Sequence, residues 1–337
     1  MNVSPSPRGA ALTRASKTER TLVSAMVSVA LLALSACGSD ADSGQDRPGS
    51  KPKAKSMTVG YLPLADYLPI FVAVEEGYFA AEGLDVKTKQ MPPGSPVAPT
   101  VGGSFDVGGI PWSAYLLAAD GKVPLTPIMG ATSGVPTYAS FVVPKSSTIK
   151  KPADLVGKTA AVTGAPGMCN MLLDTTLEKQ GFKRDKANTK YVQLAPAEMK
   201  HSLDDGEVDA ACVPQPVLGG LLASGGYRIV FDAFSGPFEG FPLVGYNTRT
   251  AYAKANPDTI AAFRRAVVKA TETIEARPEV VTRVLPTYTS FKAEQIKSLV
   301  LPDFTPDIDQ KDLEELAGIM RDLGVVDHEI SVPKIGN

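Results

Sequence analysis

The stretch Gly206-Glu207-Val208-Asp209-Ala210, together with its echo Gly103-Ser104-Phe105-Asp106-Val107, carries the clearest fold signal in the sequence. Both follow the pattern Gly-x-apolar-Asp-apolar, and they lie 103 residues apart. Each opens the third strand of its own series of alternating strand and helix signals. Such alternation is typical of mainly parallel sheets flanked by helices. The repeated pattern therefore predicts an α/β protein with two similar lobes.

The lobes are predicted to be discontinuous in sequence. The chain leaves the first series near Val143 and returns near Pro242, after which the sequence is nearly all helical. We expect residues 57–143 and 242–337 to form lobe 1, residues 144–241 to form lobe 2, and two connecting strands to form a hinge. Ligands of open α/β sheets bind beyond the carboxyl ends of the strands, so the expected binding site is a cleft between the lobes.

Residues 1–36 have the pattern of a lipoprotein signal peptide. A basic leader precedes an apolar run of about 13 residues, too short to cross a membrane but typical of a signal sequence. The run ends in Leu34-Ser35-Ala36-Cys37, which resembles a bacterial lipobox. We expect lipidation at Cys37, a flexible tether over 37–56, and a mature protein anchored by lipid to the extracytoplasmic face of the cell membrane. The alternative is a plain secretory signal in which Cys37 is incidental.

Composition narrows the function classes. The formal net charge of −2 gives no electrostatic footprint for nucleic acid. Two histidines and three cysteines in 337 residues leave few candidate metal ligands or catalytic bases. We therefore expect a binding protein without cofactor, bound metal or nucleic-acid partner.

Several spaced motifs carry a family resemblance. They are Val59-Gly60-Tyr61-Leu62-Pro63, the segment from Glu75 to Val86, and Pro152-Ala153-Asp154-Leu155-Val156-Gly157-Lys158. They resemble the ABC-importer substrate-binding lipoproteins that handle sulfonates, taurine, nitrate and thiamine pyrimidine precursors. The resemblance implies a periplasmic-binding-protein type II fold whose lobes close around a small solute. It also implies an ABC permease with its ATPase as partner, and we expect a monomer.

The sharpest candidate site is the turn Thr163-Gly164-Ala165-Pro166-Gly167-Met168-Cys169-Asn170. A strand, a glycine-containing turn and a helix start place free backbone N–H groups and the positive end of a helix dipole together. In the resembled family this place holds the acidic head of the solute. The alternative is a tight turn without a ligand. The candidate residues here are Thr163, Ala165, Gly167, Met168, Cys169 and Asn170.

The other candidates lie in loops that follow strands: Asp66, Tyr67, Trp112, Ser133 and Gln215. Trp112 either walls the cleft or packs the core. Gln215 stands where the family often has Glu-Pro, which argues against a basic solute and against the usual pyrimidine contact. The expected cleft loops carry no Lys or Arg, so a dianion would be poorly neutralised. A small organic monoanion is the main prediction, and a neutral heteroaromatic such as a thiamine pyrimidine precursor is the alternative.

Two further questions stay open at this point. In a 2-1-3 strand order, Cys169 and Cys212 lie near the same rim, so they form either a disulfide or two buried thiols. For function, the alternatives from other classes are a signalling lipoprotein and an enzyme like the related pyrimidine-synthesising proteins. The His- and Cys-rich constellation of those enzymes is absent from this sequence.

Overall fold

The structure, a computed structural model, describes residues 54–92, 97–165, 167–182 and 189–333. The predicted signal peptide, the predicted lipidation site Cys37 and all but the end of the predicted tether lie outside these ranges. The predicted tether end at residue 56 is two residues too late, because the first strand begins at Lys55.

The strands form two mixed sheets. They are β1 (Lys55–Tyr61), β2 (Leu84–Gln90), β3 (Val107–Pro111), β4 (Leu125–Ser133), β5 (Ala139–Pro144), β6 (Thr159–Val162), β7 (Lys190–Gln193), β8 (Ala210–Pro214), β9 (Tyr227–Asp232), β10 (Pro242–Arg249) and β11 (Asp303–Phe304). The first sheet has the order β11-β4-β10-β3-β1-β2, and the second has the order β7-β6-β8-β5-β9. The predicted 2-1-3 order is thus present around β1 and around β6.

Helices cover the sheets. They are α1 (Leu68–Glu75), α2 (Tyr78–Ala81), α3 (Val97–Val101), α4 (Trp112–Asp120), α5 (Met168–Lys179), α6 (Pro196–Asp204), α7 (Val217–Ala223), α8 (Thr250–Ala255), α9 (Pro257–Ala276), α10 (Glu279–Val284), α11 (Ala293–Lys297) and α12 (Gln310–Asp322). Short 3-10 helices lie at Ala65–Tyr67, Pro152–Leu155, Gly236–Phe238 and Leu285–Thr287. The sequence patterns did not predict α3, α8 or β11, which are all short.

The long helix α9 shows how pattern becomes packing. Proline at its first position costs no hydrogen bond, because the first N–H groups of a helix have no intrahelical acceptor. Its buried residues include Phe263, Ala266, Val267 and Ala270, which recur at the spacing of one helix face. This face packs against α1, and the Phe263 ring lies 5.6 Å from that of Phe79. This helix of 20 residues agrees with the largely helical sequence expected after Pro242.

One strand belongs to a different sheet than the sequence predicted. The segment 138–143 was placed with the first series, but β5 pairs antiparallel with β8 and β9 of the second sheet. The return strand β10 lies antiparallel between β3 and β4 of the first sheet. Each crossing strand therefore runs against the parallel strands that it joins. By sheet membership the chain crosses at 134–138, before Val143.

The two crossovers, 134–138 and 233–241, are hydrogen-bonded to each other. The Gly134 N–H donates to the Phe241 carbonyl, and the Gly240 N–H donates to the Gly134 carbonyl, both at 2.9 Å. Thr137 has a φ of +64°, a left-handed conformation that costs a β-branched residue energy. Its N–H donates to Asp232 at 2.8 Å, and its carbonyl accepts from Gln215 at 3.0 Å. The crossover is thus tied to two strands of the second sheet.

The C-terminal segment lies across elements of both sheets. Helix α12 packs against α4, which follows β3, and against α5, which follows β6. Beyond it, Nε2 of His328 lies 2.9 Å from Asp120 at the end of α4. Within the described ranges, no helix has the length and apolarity needed to cross a membrane.

Candidate functional site

The predicted site loops all follow strands at the carboxyl edge of a sheet. The loop 64–67 follows β1, and Trp112 follows β3, which is parallel to β1. In the second sheet the turn 163–170 follows β6, and Gln215 follows β8, which is parallel to β6. Because the carboxyl ends of parallel strands share one edge, each sheet presents two of these loops together.

Asp66 is buried, with 3% of its surface exposed. Its carboxylate accepts hydrogen bonds from Thr132 Oγ1 at 3.0 Å and from the Tyr138 hydroxyl at 2.5 Å. Burial raises the pKa of Asp66 above its ordinary value, and these hydrogen bonds offset part of that effect. Since Tyr138 lies in the crossover segment, this carboxylate joins the first sheet to the chain that leads into the second.

Tyrosines surround this carboxylate. Burial, followed by the negative charge of Asp66, raises the pKa of Tyr67, Tyr138, Tyr246 and Tyr288, so all four phenols are neutral at pH 7. The Tyr67 hydroxyl donates to the Gly109 carbonyl at 2.9 Å. A methyl group at Gly109 would lie 2.3 Å from the Tyr67 ring, so only glycine fits there. Asp66 and Tyr67, both predicted to bind solute, are thus engaged with the scaffold in this structure.

Trp112 and Ser133 come together at a cavity of about 590 Å³, here called the Trp112 cavity. Its other lining residues come from β4, from the return crossover and from residues 305–313. Trp112 is also a core residue, because it is 2% exposed and its ring covers Gly245 so closely that a Cβ there would lie 2.2 Å away. The two interpretations of Trp112 are therefore compatible, since it packs the core and also lines a cavity.

The turn 163–170 is more open than the loop 64–67. Thr163 and Ala165 are exposed, and Met168 and Cys169 are half-buried. The Gly167 N–H, predicted to be free for a solute, donates instead to Asn170 Oδ1 at 2.8 Å. The next three N–H groups, from Met168 to Asn170, have no intrahelical acceptor, because they open α5. They are the donors that this turn offers to an acid group.

A second cavity of about 310 Å³ lies beside this turn. Ala165, Asn170 and Met171 line one side, and Leu323 and Val325 of the C-terminal segment line another. The structure therefore divides the predicted site residues among the buried Asp66 cluster, the Trp112 cavity and the open turn.

Cys169 and Cys212 form a disulfide in the structure, with Cα atoms 6.4 Å apart. The bond joins the first turn of α5 to β8, so it fastens the open turn to the second sheet. Gln215 follows at the end of β8 and is 7% exposed. Its Nε2 donates to Thr137, while its Oε1 is buried without a hydrogen-bond partner among the described residues.

One group of residues that line the Trp112 cavity was not predicted from the sequence. Asp307, Asp309 and Asp312 line the Trp112 cavity. Three aspartates within six residues at a helix start were a visible signal, but nothing in the local pattern placed them against β4. That contact depends on Gly130, because a Cβ there would lie 2.2 Å from the Thr305 carbonyl oxygen.

The fold is that of periplasmic binding proteins. The crystal structure of the periplasmic aliphatic sulphonate binding protein SsuA from Escherichia coli matches it with a TM-score of 0.68 and 18% identity, over 82% of this chain and 95% of that one. A family model described as NMT1/THI5 like matches residues 65–280, more than half of the chain. The chain belongs to the NMT1/THI5-like family, which confirms the resemblance drawn from the sequence motifs.

Two curated relatives are similar to this chain over most of their length. The taurine-binding periplasmic protein of Escherichia coli is 27% identical over 231 residues, 68% of this chain and 69% of the relative. The formylaminopyrimidine-binding protein of Halalkalibacterium halodurans is 25% identical over 235 residues, 68% of each chain. Both relatives are binding proteins rather than enzymes. Residues 305–313, which supply the acidic side of the Trp112 cavity, lie outside the stretch that the family matches.

Proposed function

We propose that the protein is the extracytoplasmic solute-binding component of an ABC importer and that it captures a small organic anion of the sulfonate, taurine or nitrate type. The observation that carries this proposal is the family match over residues 65–280, which includes elements of both sheets and the turn 163–170. The taurine-binding relative supports the solute class.

The local chemistry of α5 supports an anionic head group. The N–H groups of Met168, Cys169 and Asn170 open a helix of 12 residues, whose dipole adds partial positive charge at that end. The disulfide at Cys169 holds this turn against β8. A monoanion bound there needs no Lys or Arg, which agrees with the charge pattern of the loops.

Closure of the two lobes is the proposed mechanism. Solute contacts from both sheets favour a closed state, and the permease and its ATPase recognise that state. The predicted division into lobe 1 (57–143 and 242–337) and lobe 2 (144–241) remains part of this proposal. Its first crossover is placed at 134–138 instead of near Val143. The paired crossovers then act as the hinge.

Titration calorimetry against alkanesulfonates, nitrate, carboxylates and substituted pyrimidines tests the solute class. We expect binding of at least one sulfonate or aminosulfonate and release of heat that saturates at one solute per chain. Trp112 is the sole tryptophan and lines a cavity, so its emission gives a second readout. Absence of binding to every class would contradict the transport role and favour the signalling lipoprotein.

A neutral heteroaromatic solute is the second candidate. The formylaminopyrimidine-binding relative favours it, as does the aromatic wall that Trp112 supplies. Tight binding of a pyrimidine together with failure of all sulfonates would select this candidate. Either solute makes the protein a receptor rather than an enzyme of pyrimidine synthesis.

Lipid anchoring through Cys37 is a separate proposal, carried by the lipobox-like Leu34-Ser35-Ala36-Cys37. The variant Cys37→Ala should leave the membrane fraction for the medium or periplasm, as measured by fractionation without detergent. The matched control is Cys212→Ala, which removes a cysteine from the folded body and should stay with the membrane. Retention of Cys37→Ala on the membrane would contradict the anchor.

A further inference from the structure

The Trp112 cavity has an acidic side whose negative charge is not neutralised by any described residue. Asp307, Asp309 and Asp312 line it, and none of its lining residues is Lys, Arg or His. Among the described residues, no cation forms a salt bridge with any of the three aspartates. Asp309 also accepts the N–H of Lys311 at 2.8 Å, so its carboxylate caps α12 as well as facing the cavity.

The crowding of these carboxylates has a measurable consequence. Partial burial, followed by the charges of Asp309 and Glu315, raises the pKa of Asp312 above its ordinary value. A cation bound beside Asp312 would lower that pKa again, because a nearby opposite charge favours the carboxylate.

The cavity carries a second, independent feature. Ser133 is 4% exposed, lines the cavity, and makes no side-chain hydrogen bond with any described residue. The neighbouring Thr132 directs its hydroxyl to Asp66, so Ser133 on the same strand faces the other side, where the cavity lies. The Ser133 hydroxyl is not sealed from solvent, so it is free to form a hydrogen bond with a molecule that enters the cavity.

Trp112 completes the set of surfaces. Its ring supplies an aromatic wall to the same cavity, and aromatic faces and edges suit the carbon skeleton of a small organic solute. At about 590 Å³ the cavity is large enough for such a molecule. It also reaches Gly240 and Pro242, at the end of the return crossover, so an occupant would contact the hinge.

From this combination we propose that the Trp112 cavity binds the protonated amine of a small organic solute, with Asp307 and Asp312 as the charge partners and Ser133 as a hydroxyl contact. The inference rests on the proposed solute-binding function and specifies its solute class, namely a molecule with an ammonium group. Residues 305–313 lie outside the family match, so the argument for this preference comes from the cavity itself and not from the family.

Calorimetry with paired analogues tests the proposal. The probes are 2-aminoethanesulfonate and 2-hydroxyethanesulfonate, which share the acid and differ in the amine, and ethanolamine, which has the amine alone. We expect the wild type to bind the aminosulfonate at least about tenfold more tightly than the hydroxyl analogue, the ratio typical of a charged hydrogen bond.

Three variants locate the effect. Asp312→Asn and Asp307→Asn should each reduce that ratio about fivefold, with little change in the hydroxyl analogue's own affinity, as expected for loss of one partly exposed charge partner. Asp322→Asn removes one charge from the exposed far end of α12, does not line the cavity, and should leave the ratio unchanged. Thermal unfolding of each variant checks that the fold is intact.

The outcomes separate the two levels of the proposal. Equal binding of both sulfonates, or an amine preference that survives Asp307→Asn and Asp312→Asn, overturns the amine site and leaves the sulfonate receptor standing. Binding of ethanolamine alone, abolished by Asp312→Asn, supports the amine site and rejects the anion class. Binding of none of the probes, with no other solute class bound, overturns both proposals.

Discussion

The loops that follow β1 and β6 occupy equivalent positions in their sheets but have opposite characters. After β1, the loop 64–67 buries Asp66 and Tyr67, and the polar groups of both side chains form hydrogen bonds within the protein. After β6, the turn 163–170 leaves Thr163 and Ala165 exposed and opens a helix toward solvent. The first loop joins parts of the chain, and the second is available to a ligand.

This contrast shows that position at a carboxyl edge does not by itself make a binding residue. The chemistry of the neighbours decides. Around Asp66, hydroxyl donors come from Thr132 and Tyr138, so the carboxylate is satisfied without a solute. Around 163–170, the Asn170 side chain accepts the Gly167 N–H, and the helix N–H groups that follow have no intrahelical acceptor, which is why we propose them as donors to an anion.

The largest expected effect is that of Asp66→Ala. The substitution would leave the hydroxyls of Thr132 and Tyr138 without their acceptor and would create a cavity. Because each unpaired buried donor costs about 1–3 kcal/mol, we expect the free energy of unfolding to fall by about 3–5 kcal/mol. Urea unfolding measures this loss. A loss below about 1 kcal/mol, typical of a surface residue, would remove the contrast between the two loops.

The variant Asp66→Asn gives the matched control and a pH signature. The folded-state pKa of Asp66 is raised because burial disfavours the carboxylate. The stabilisation from the protonated form is therefore complete below the unfolded pKa, about 4, and is lost as the pH rises through the folded value. Wild-type stability relative to Asp66→Asn should fall as the pH rises above about 4. A relative stability that rises over that range would contradict the assigned direction.

The next largest effect is expected from removing the disulfide that links the turn 163–170 to β8. Replacing both Cys169 and Cys212 with Ser removes a bond that closes a sequence separation of 43 residues, which is expected to cost about 2–4 kcal/mol. Thermal unfolding with and without reductant measures it, and the double variant should no longer respond to reductant. Equal melting temperatures for oxidised and reduced wild type would show that the disulfide does not stabilise the second sheet.

The smallest effect is that of Asn170→Ala, which frees the Gly167 N–H. The loss should be about 1 kcal/mol, the usual contribution of a helix cap. Thr163→Ala, an exposed neighbour in the same turn, should change the free energy of unfolding by less than about 0.5 kcal/mol. If Asn170→Ala cost as much as Asp66→Ala, the turn would be a structural element like the loop 64–67.

Sequence reasoning reached the repeating scaffold because its signals are local. Pro257 at the first position and the apolar spacing mark α9, and the Gly-x-apolar-Asp-apolar pattern marks β3 and β8. It placed 138–143 in the wrong sheet because either neighbour suits an apolar strand of that length. It could not find Asp307 and Asp312, since their approach to Trp112 depends on a fit at Gly130, more than 170 residues earlier in the chain.

The position of β10 has a consequence for the order in which the protein folds. β10 lies between β3 and β4, yet it is made only after the whole second sheet, which is contiguous from β5 to β9. All strands of the second sheet come from one continuous stretch of chain. The first sheet lacks its central strand β10 until more than 100 further residues have been made after β4. Contacts of such large sequence separation form slowly. During synthesis from the amino end, the second sheet is therefore complete before the first.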